Sequence, residues 1–195
     1  MSKQDVLERI AVEVHICQRC ELWKNRRNAV PGEGNLEAAV LFIGEAPGYW
    51  EDVKGRPFVG AAGKLLAELL LKAGLSRAEV YITNVLKCRP PENRDPRPSE
   101  IQSCTPFLER QIKAIKPTLI VTLGRHSTSY ILRKMGFETE GITGIHGKLY
   151  NGELFDLKVR VIPTYHPAAA LYNPRYREAL EEDFQVVKRE LKLSD

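Results

Sequence analysis

The sequence predicts an α/β fold, a three-layer α/β/α sandwich around a central, mostly parallel four-stranded sheet. Three observations carry that prediction. Short apolar runs with β-branched residues recur at 40–43, 80–86, 118–123 and 159–163; segments of helical periodicity separate them; and Gly or Pro interrupts the chain at or just after several of the runs. Strands alternating with helices imply a parallel sheet covered on both faces. The strands' C-terminal ends then lie along one edge of the domain, where open α/β sheets bind ligands.

Residues 4–16 have helical periodicity. Val40 to Ile43 is the first strand: its four apolar residues suit burial on both faces, and the Gly44 and Pro47 that follow cannot continue it. The chain must open there, which puts Glu45 at a mouth rather than in a core. Lys64 to Ala73 reads as a leucine-rich helix stopped by Gly74. Val80 to Leu86 is the second strand, and Ser99 to Lys116 is a long helix in which Ser99 and Gln102 have capping-box spacing. Thr118 to Leu123 is the third strand, ended by Gly124 and followed by a helix to about Met135. A Gly-rich looped or hairpin region runs through Gly152, and Val159 to Pro163 is the last strand. Asn173 and Pro174 supply an N-cap and a first-turn proline for a terminal helix to about Leu191.

With 195 residues, 43% hydrophobic and 28% charged, the chain has the size and composition of one globular domain over 1–195, able to bury a core without disulfides. No apolar run approaches the roughly 18 residues of a membrane span. The opening Met-Ser-Lys-Gln-Asp-Val lacks the apolar centre of a signal peptide, so a cytoplasmic location is expected. A net charge of +4 permits a polyanionic partner without requiring one.

The four cysteines are Cys17, Cys20, Cys88 and Cys104. A reducing compartment argues against disulfides, leaving metal chemistry, catalysis or simple burial. One C-x2-C pair and two distant thiolates can converge on a tetrahedral zinc site or an iron–sulfur cluster, and spacing alone does not choose between them. His15 can stand in for one ligand. Separate buried cysteines are the plain alternative.

Glu45 lies past the first strand, Asn84 in the second, and His166 just beyond the last. A carboxylate, an amide and an imidazole meeting at one mouth can read a small planar ring. Phe58, beside Gly60 and Gly63, offers a stacking face, and the small residues let a helix start approach a ligand. Taken singly, each has an ordinary structural explanation; together at strand ends they point to a site.

Gly44-Glu45-Ala46-Pro47-Gly48, Phe58-Val59-Gly60-Ala61-Ala62-Gly63, Thr83-Asn84, the four cysteines, and His166-Pro167 with Pro174 following resemble the family 4 uracil-DNA glycosylases, the iron–sulfur type typical of thermophilic archaea and bacteria. The likeness runs from Cys17 to about Pro174. It implies a monofunctional DNA-repair enzyme that flips uracil out of DNA, hydrolyses the N-glycosidic bond, releases free uracil and leaves an abasic site. On this resemblance Asn84 reads uracil N3–H and O4, Phe58 stacks on the base, and Glu51 closes off C5 against thymine. Gly44 and Ala46 belong to the same binding segment. His166 donates to uracil O2, aided by backbone N–H groups near Gly44 and Glu45, while Glu45 stabilises the sugar cation or orients the attacking water. Family 1 enzymes carry an aspartate where this chain has Ala46.

The resemblance also implies that Leu171 wedges into the duplex, with Tyr172 where many relatives have arginine. Lys87, Arg89, Arg94 and Arg97 form the expected phosphate-contacting strip. Cys17, Cys20, Cys88 and Cys104 would hold a [4Fe–4S] cluster, preferred over structural zinc, in a structural role. The implied partner is single- or double-stranded uracil-containing DNA, met as a monomer; no peptide motif for a sliding clamp is present. Two alternatives stay open. One is a family 5-like glycosylase of broader scope on deaminated bases, which typically lacks a polar residue at the position of Glu45. The other is a non-catalytic metal-bearing nucleic-acid-binding module. His15, His126 and His146 receive no role.

Overall fold

A computed structural model describes residues 2–192. In chain order the elements are α1 (Lys3–Ile16), β1 (Glu33–Gly34), β2 (Val40–Gly44), α2 (Tyr49–Lys54), α3 (Ala61–Lys72), β3 (Tyr81–Asn84), α4 (Pro98–Ile115), β4 (Leu119–Leu123), α5 (Arg125–Lys134), β5 (Tyr150–Leu154), β6 (Leu157–Thr164), α6 (Pro167–Ala170) and α7 (Pro174–Lys192). The sheet order is β1-β3-β2-β4-β6-β5. Its four central strands are mutually parallel and correspond to the four that the sequence predicts.

Two antiparallel edge strands bring the total to six. β1 pairs with β3 over two residues, too short to leave a period in the sequence. β5 pairs with β6 as a hairpin closed by Phe155 and Asp156, both at positive φ (53° and 64°), the backbone a two-residue hairpin turn requires. Gly152 therefore sits in a strand, while the Gly-rich stretch before it is looped, with one 3-10 turn at Ile142–Gly144.

The sheet is covered on both faces because its central strands are apolar on both. In β2, Leu41 and Ile43 point to the layer of α1, α4 and α5, where Ile10, Leu108 and Ile131 are buried. Val40 and Phe42 point to α3 and α7, where Leu66, Leu69, Leu180 and Phe184 are buried. None of the described helices is long and apolar enough to cross a membrane.

Some boundaries move. The second strand stops at Asn84, after which the Val85 and Leu86 N–H groups donate to the Gly44 and Glu45 carbonyls. Ser99 is not the cap of α4: Pro98 takes the first helical position and the Glu100 carboxylate accepts the Arg97 N–H at 2.8 Å, placing Ser99 inside the first turn. Asn173 does cap α7, its side chain accepting from the Arg175 N–H at 3.0 Å. The short α2 and α6 escape periodicity altogether.

Candidate active site

The C-terminal ends of β2, β3 and β6 open into one cavity of about 320 Å³ lined by Glu45, Ala46, Gly48, Glu51, Phe58, Asn84 and His166, among others. That is the small end of the ~300–1,000 Å³ typical of small-molecule sites. Parallel pairing sets Gly44 beside Asn84, so the loop after β2 and the end of β3 face the same opening.

Phe58 is held there under constraint. Its backbone has φ 50°, unfavourable for a residue with a side chain, and Arg77 donates to its carbonyl at 2.9 Å. A Cβ on Gly44 would lie 2.4 Å from Asn84 Oδ1 and 2.6 Å from Phe58 Cζ; one on Gly63 would lie 1.9 Å from the Phe58 carbonyl oxygen. Only glycine permits either approach. Gly63→Ala is therefore expected to lower stability by about 1–3 kcal/mol, the usual cost of overpacking, and to displace Phe58. Denaturant melts together with weaker base binding check this; an unchanged midpoint contradicts it.

Glu51 fixes the same loop from the other side. One carboxylate oxygen accepts from the Val59 and Gly60 N–H groups at 2.9 and 3.0 Å, and the other accepts from the Gly48 N–H at 3.1 Å. It lines the cavity as an immobile wall.

Asn84 is buried, and its Oδ1 has no hydrogen-bond partner among the described residues. An unpaired buried acceptor costs about 1–3 kcal/mol unless a ligand supplies the donor. Beneath it, Lys87 is buried rather than exposed to a phosphate: its ammonium donates to the Asn84 carbonyl at 2.8 Å and to Gln111 Oε1 at 2.7 Å. This corrects the expected role of Lys87, whose position three residues past a buried strand turns it inward. It holds the backbone of Asn84.

His166 caps α6 by accepting the Ala168 N–H on Nδ1 at 3.0 Å, and its ring stacks on Phe58 with centroids 5.6 Å apart. Burial pushes its pKa down to about 4, so it is neutral at pH 7 with the proton on Nε2. Glu45 is flanked by His126, a residue without a role in the sequence reading. His126 Nε2, buried and without a hydrogen bond, lies 3.8 Å from the Glu45 carboxylate and 3.6 Å from Asp95, which is paired with Arg125. Burial raises the Glu45 pKa, His126 and Arg125 oppose that, and Asp95 adds to it. No period or motif in the sequence marks His126, which follows the Gly124 turn at the start of α5.

Leu171 and Tyr172 project from the turn after α6, Tyr172 being 90% exposed. Arg89 bonds Asn93 and lies over the Tyr49 ring, Arg94 is paired with Glu100, and Arg97 is exposed at the head of α4.

On the α1–α4 side, Cys17, Cys20, Cys88 and Cys104 line one small second cavity with Trp23 and Phe107. The Arg26 guanidinium donates to Cys88 Sγ and the Lys87 N–H to Cys104 Sγ, both at 3.2 Å. Such donors suit sulfurs carrying negative charge. Burial pushes the Cys104 thiol up to about 12 and raises those of Cys20 and Cys88, so none of these three is a free thiolate nucleophile by itself. His15 faces solvent, its carbonyl accepting from Arg26.

Residues 31–192 match the family model of the uracil DNA glycosylase superfamily. A type-4 uracil-DNA glycosylase of Saccharolobus solfataricus is 58% identical over 188 residues, covering 96% of this chain and 87% of the relative. One from Sulfurisphaera tokodaii is 56% identical over 94% of this chain and 84% of its own. One from Archaeoglobus fulgidus is 51% identical over 93% of this chain and 91% of its own. With the cavity at the strand ends and the match spanning nearly its whole length, this chain belongs to the uracil DNA glycosylase superfamily.

Proposed function

We propose that this chain is a monofunctional uracil-DNA glycosylase of the type-4 kind, carried on a single domain. The observation that bears most weight is the unpaired Asn84 acceptor at the back of a cavity walled by Phe58, His166 and Glu51. Uracil N3–H supplies the missing donor, and its O4 accepts from the Asn84 amide N–H. Cytosine presents the opposite pattern at those atoms and is rejected. The rigid Glu51 wall leaves no room for the thymine methyl.

Bringing uracil into that cavity takes it out of the base stack, at a cost of a few kcal/mol. Leu171 and Tyr172 fill the space it leaves, and Arg89 and Arg97 contact phosphate. As the N1–C1′ bond breaks, its electron pair goes to uracil, and charge on O2 is met by the neutral His166 Nε2–H. Glu45 faces the cationic sugar and orients the water that adds to C1′; the water's proton ends on the released uracil by way of solvent. His126, 3.8 Å away, opposes the burial that raises the Glu45 pKa and so favours its carboxylate form. A carboxylate at position 45 favours this reading over the broader family 5 type.

The four cysteines fit a [4Fe–4S] cluster better than zinc. Thiolates on one zinc sit roughly 3.8 Å apart at Zn–S ≈ 2.3 Å, whereas Glu45, Asp95 and His126 form the sole set of three such groups within 4.8 Å among the described residues, so no three of the sulfurs are that close. Bound there, the cluster ties α1, the Cys88 loop and α4 together. The basic net charge of +4 suits a DNA-binding protein, which we propose acts as a monomer in the cytoplasm.

The test is incubation with a uracil-bearing oligonucleotide followed by alkali. Strand cleavage only after alkali, from a protein containing about four irons and absorbing in the visible blue, is the expected result. No base release rejects the enzyme; colourless protein with one zinc rejects the cluster. The pH profile is a further expectation. Glu45 acts as a carboxylate whose pKa is raised by burial, so activity falls on acidification from above the ordinary carboxylate range of about 4.3. Glu45→Gln removes that acid limb, and His126→Ala, which leaves Asp95 as the nearest charge, moves it to higher pH. An unmoved limb in both variants assigns it to another group.

A further inference from the structure

Helix α2 is anchored on two sides and presents aromatic rings on a third. The buried Asp52 accepts the Arg27 N–H at 2.9 Å, Asn28 donates to the Asp52 and Val53 carbonyls, and Glu51 is held by the loop N–H groups described above. Tyr49 and Trp50, between those anchors, stand 42% and 54% exposed, their rings edge to face at 5.1 Å. Soluble proteins seldom display two large aromatic rings side by side without a partner.

The charges placed over the Tyr49 ring are both cationic. The guanidiniums of Arg27 and Arg89 lie over the Tyr49 ring at 5.5 and 5.2 Å, and among the described residues neither forms an ion pair. The neighbours Gly48, Glu51 and Pro90 line the cavity mouth. A rigid aromatic face flanked by unneutralised arginines suits a nucleobase with its phosphate, since every base has a π-face and stacking tolerates sequence. An apolar protein partner would leave both guanidiniums facing no anion.

Resting on the glycosylase reading, we propose that the exposed Trp50 ring, set perpendicular to Tyr49, is the stacking platform for the nucleotide next to the flipped uracil on the same strand, with Arg27 and Arg89, which lie over Tyr49, on its phosphate. The platform lies at the α2 and Arg89 rim, separate from the Leu171–Tyr172 turn after α6. It favours unpaired DNA around the lesion, because a neighbour still paired in a duplex cannot turn its face to the protein.

Two single-stranded oligothymidylates test it, one with 2′-fluoro-deoxyuridine, which resists hydrolysis, at its 5′ end and one with it at its 3′ end. Trp50→Ala is expected to weaken binding by about fivefold or more, the low end of a stacked base, on one strand and not on the other. Trp50→Phe restores most of it. Wild-type tryptophan fluorescence should be quenched on binding and that of Trp50→Phe much less. Arg27→Gln and Arg89→Gln each lower the slope of log affinity against log salt by about one contact. An equal penalty on both strands, or none on either, overturns the platform. The glycosylase reading is tested apart from this, by whether the wild type releases base from the matching deoxyuridine strands.

Discussion

Asn84→Ala should slow uracil release by roughly 10²–10³-fold, because it deletes two buried hydrogen bonds worth about 1–3 kcal/mol each once the base is in the cavity. Alanine also leaves uracil N3–H and O4 desolvated and unpaired once the base has left the stack, so the cost falls on the flipped state and the transition state that follows it, relative to bound DNA whose base is still stacked. Base discrimination suffers with rate: the other amide lining the cavity, Asn93, accepts from Arg89, and the preference for uracil over cytosine should shrink accordingly. The fold should tolerate the change, since the wild-type amide already leaves Oδ1 unpaired. Single-turnover release from a uracil oligonucleotide, alongside a melt, provides the measurement. A variant within tenfold of the wild type removes Asn84 from base reading.

His166→Ala should cost a similar 10²–10³-fold in the chemical step, the usual loss when one donor to a developing oxyanion is removed. Nδ1 is committed to the Ala168 N–H, so the donor is Nε2 and the imidazole works neutral. Its stability signature has a defined sign. The folded pKa of about 4 lies below the ~6.5 of an unfolded histidine, so the unfolded chain takes up the proton first. His166 therefore contributes full stability above about 6.5 and loses it as pH falls towards about 4. The alanine variant should lose about 0.5–2 kcal/mol from the missing helix cap and show a flatter pH dependence of stability in that window. A rate loss without the flattening would indicate that His166 is protonated in the folded protein.

The parallel centre of the sheet was legible because its strands are apolar on both faces, as in Val40 to Ile43, and because Gly44 and Gly124 end two of them sharply. The edge strands were not: β1 is two residues long, and β5 alternates half-buried and exposed positions that read as loop. Glu45, Phe58, Asn84 and His166 were nameable from their motifs, and their meeting at one cavity follows from parallel strands ending together. His126 and the inward turn of Lys87 were hidden. A histidine after a glycine turn and a lysine amid arginines carry no period or spacing of their own, and each takes its meaning from side chains 81 and 24 positions away, Glu45 and Gln111.

The sequence by itself determined the layer architecture, the four thiols and the acid, amide and imidazole of the site, because hydrophobic period and turn chemistry are local properties. Tertiary structure alone decided which groups are satisfied: that Glu51 is spent on three backbone N–H groups, that Asn84 Oδ1 waits unpaired, and that Arg27 and Arg89 flank an aromatic ring without an ion-pair partner among the described residues. Hydrogen-bond satisfaction and charge pairing depend on neighbours brought together by folding, and no one-dimensional pattern encodes them.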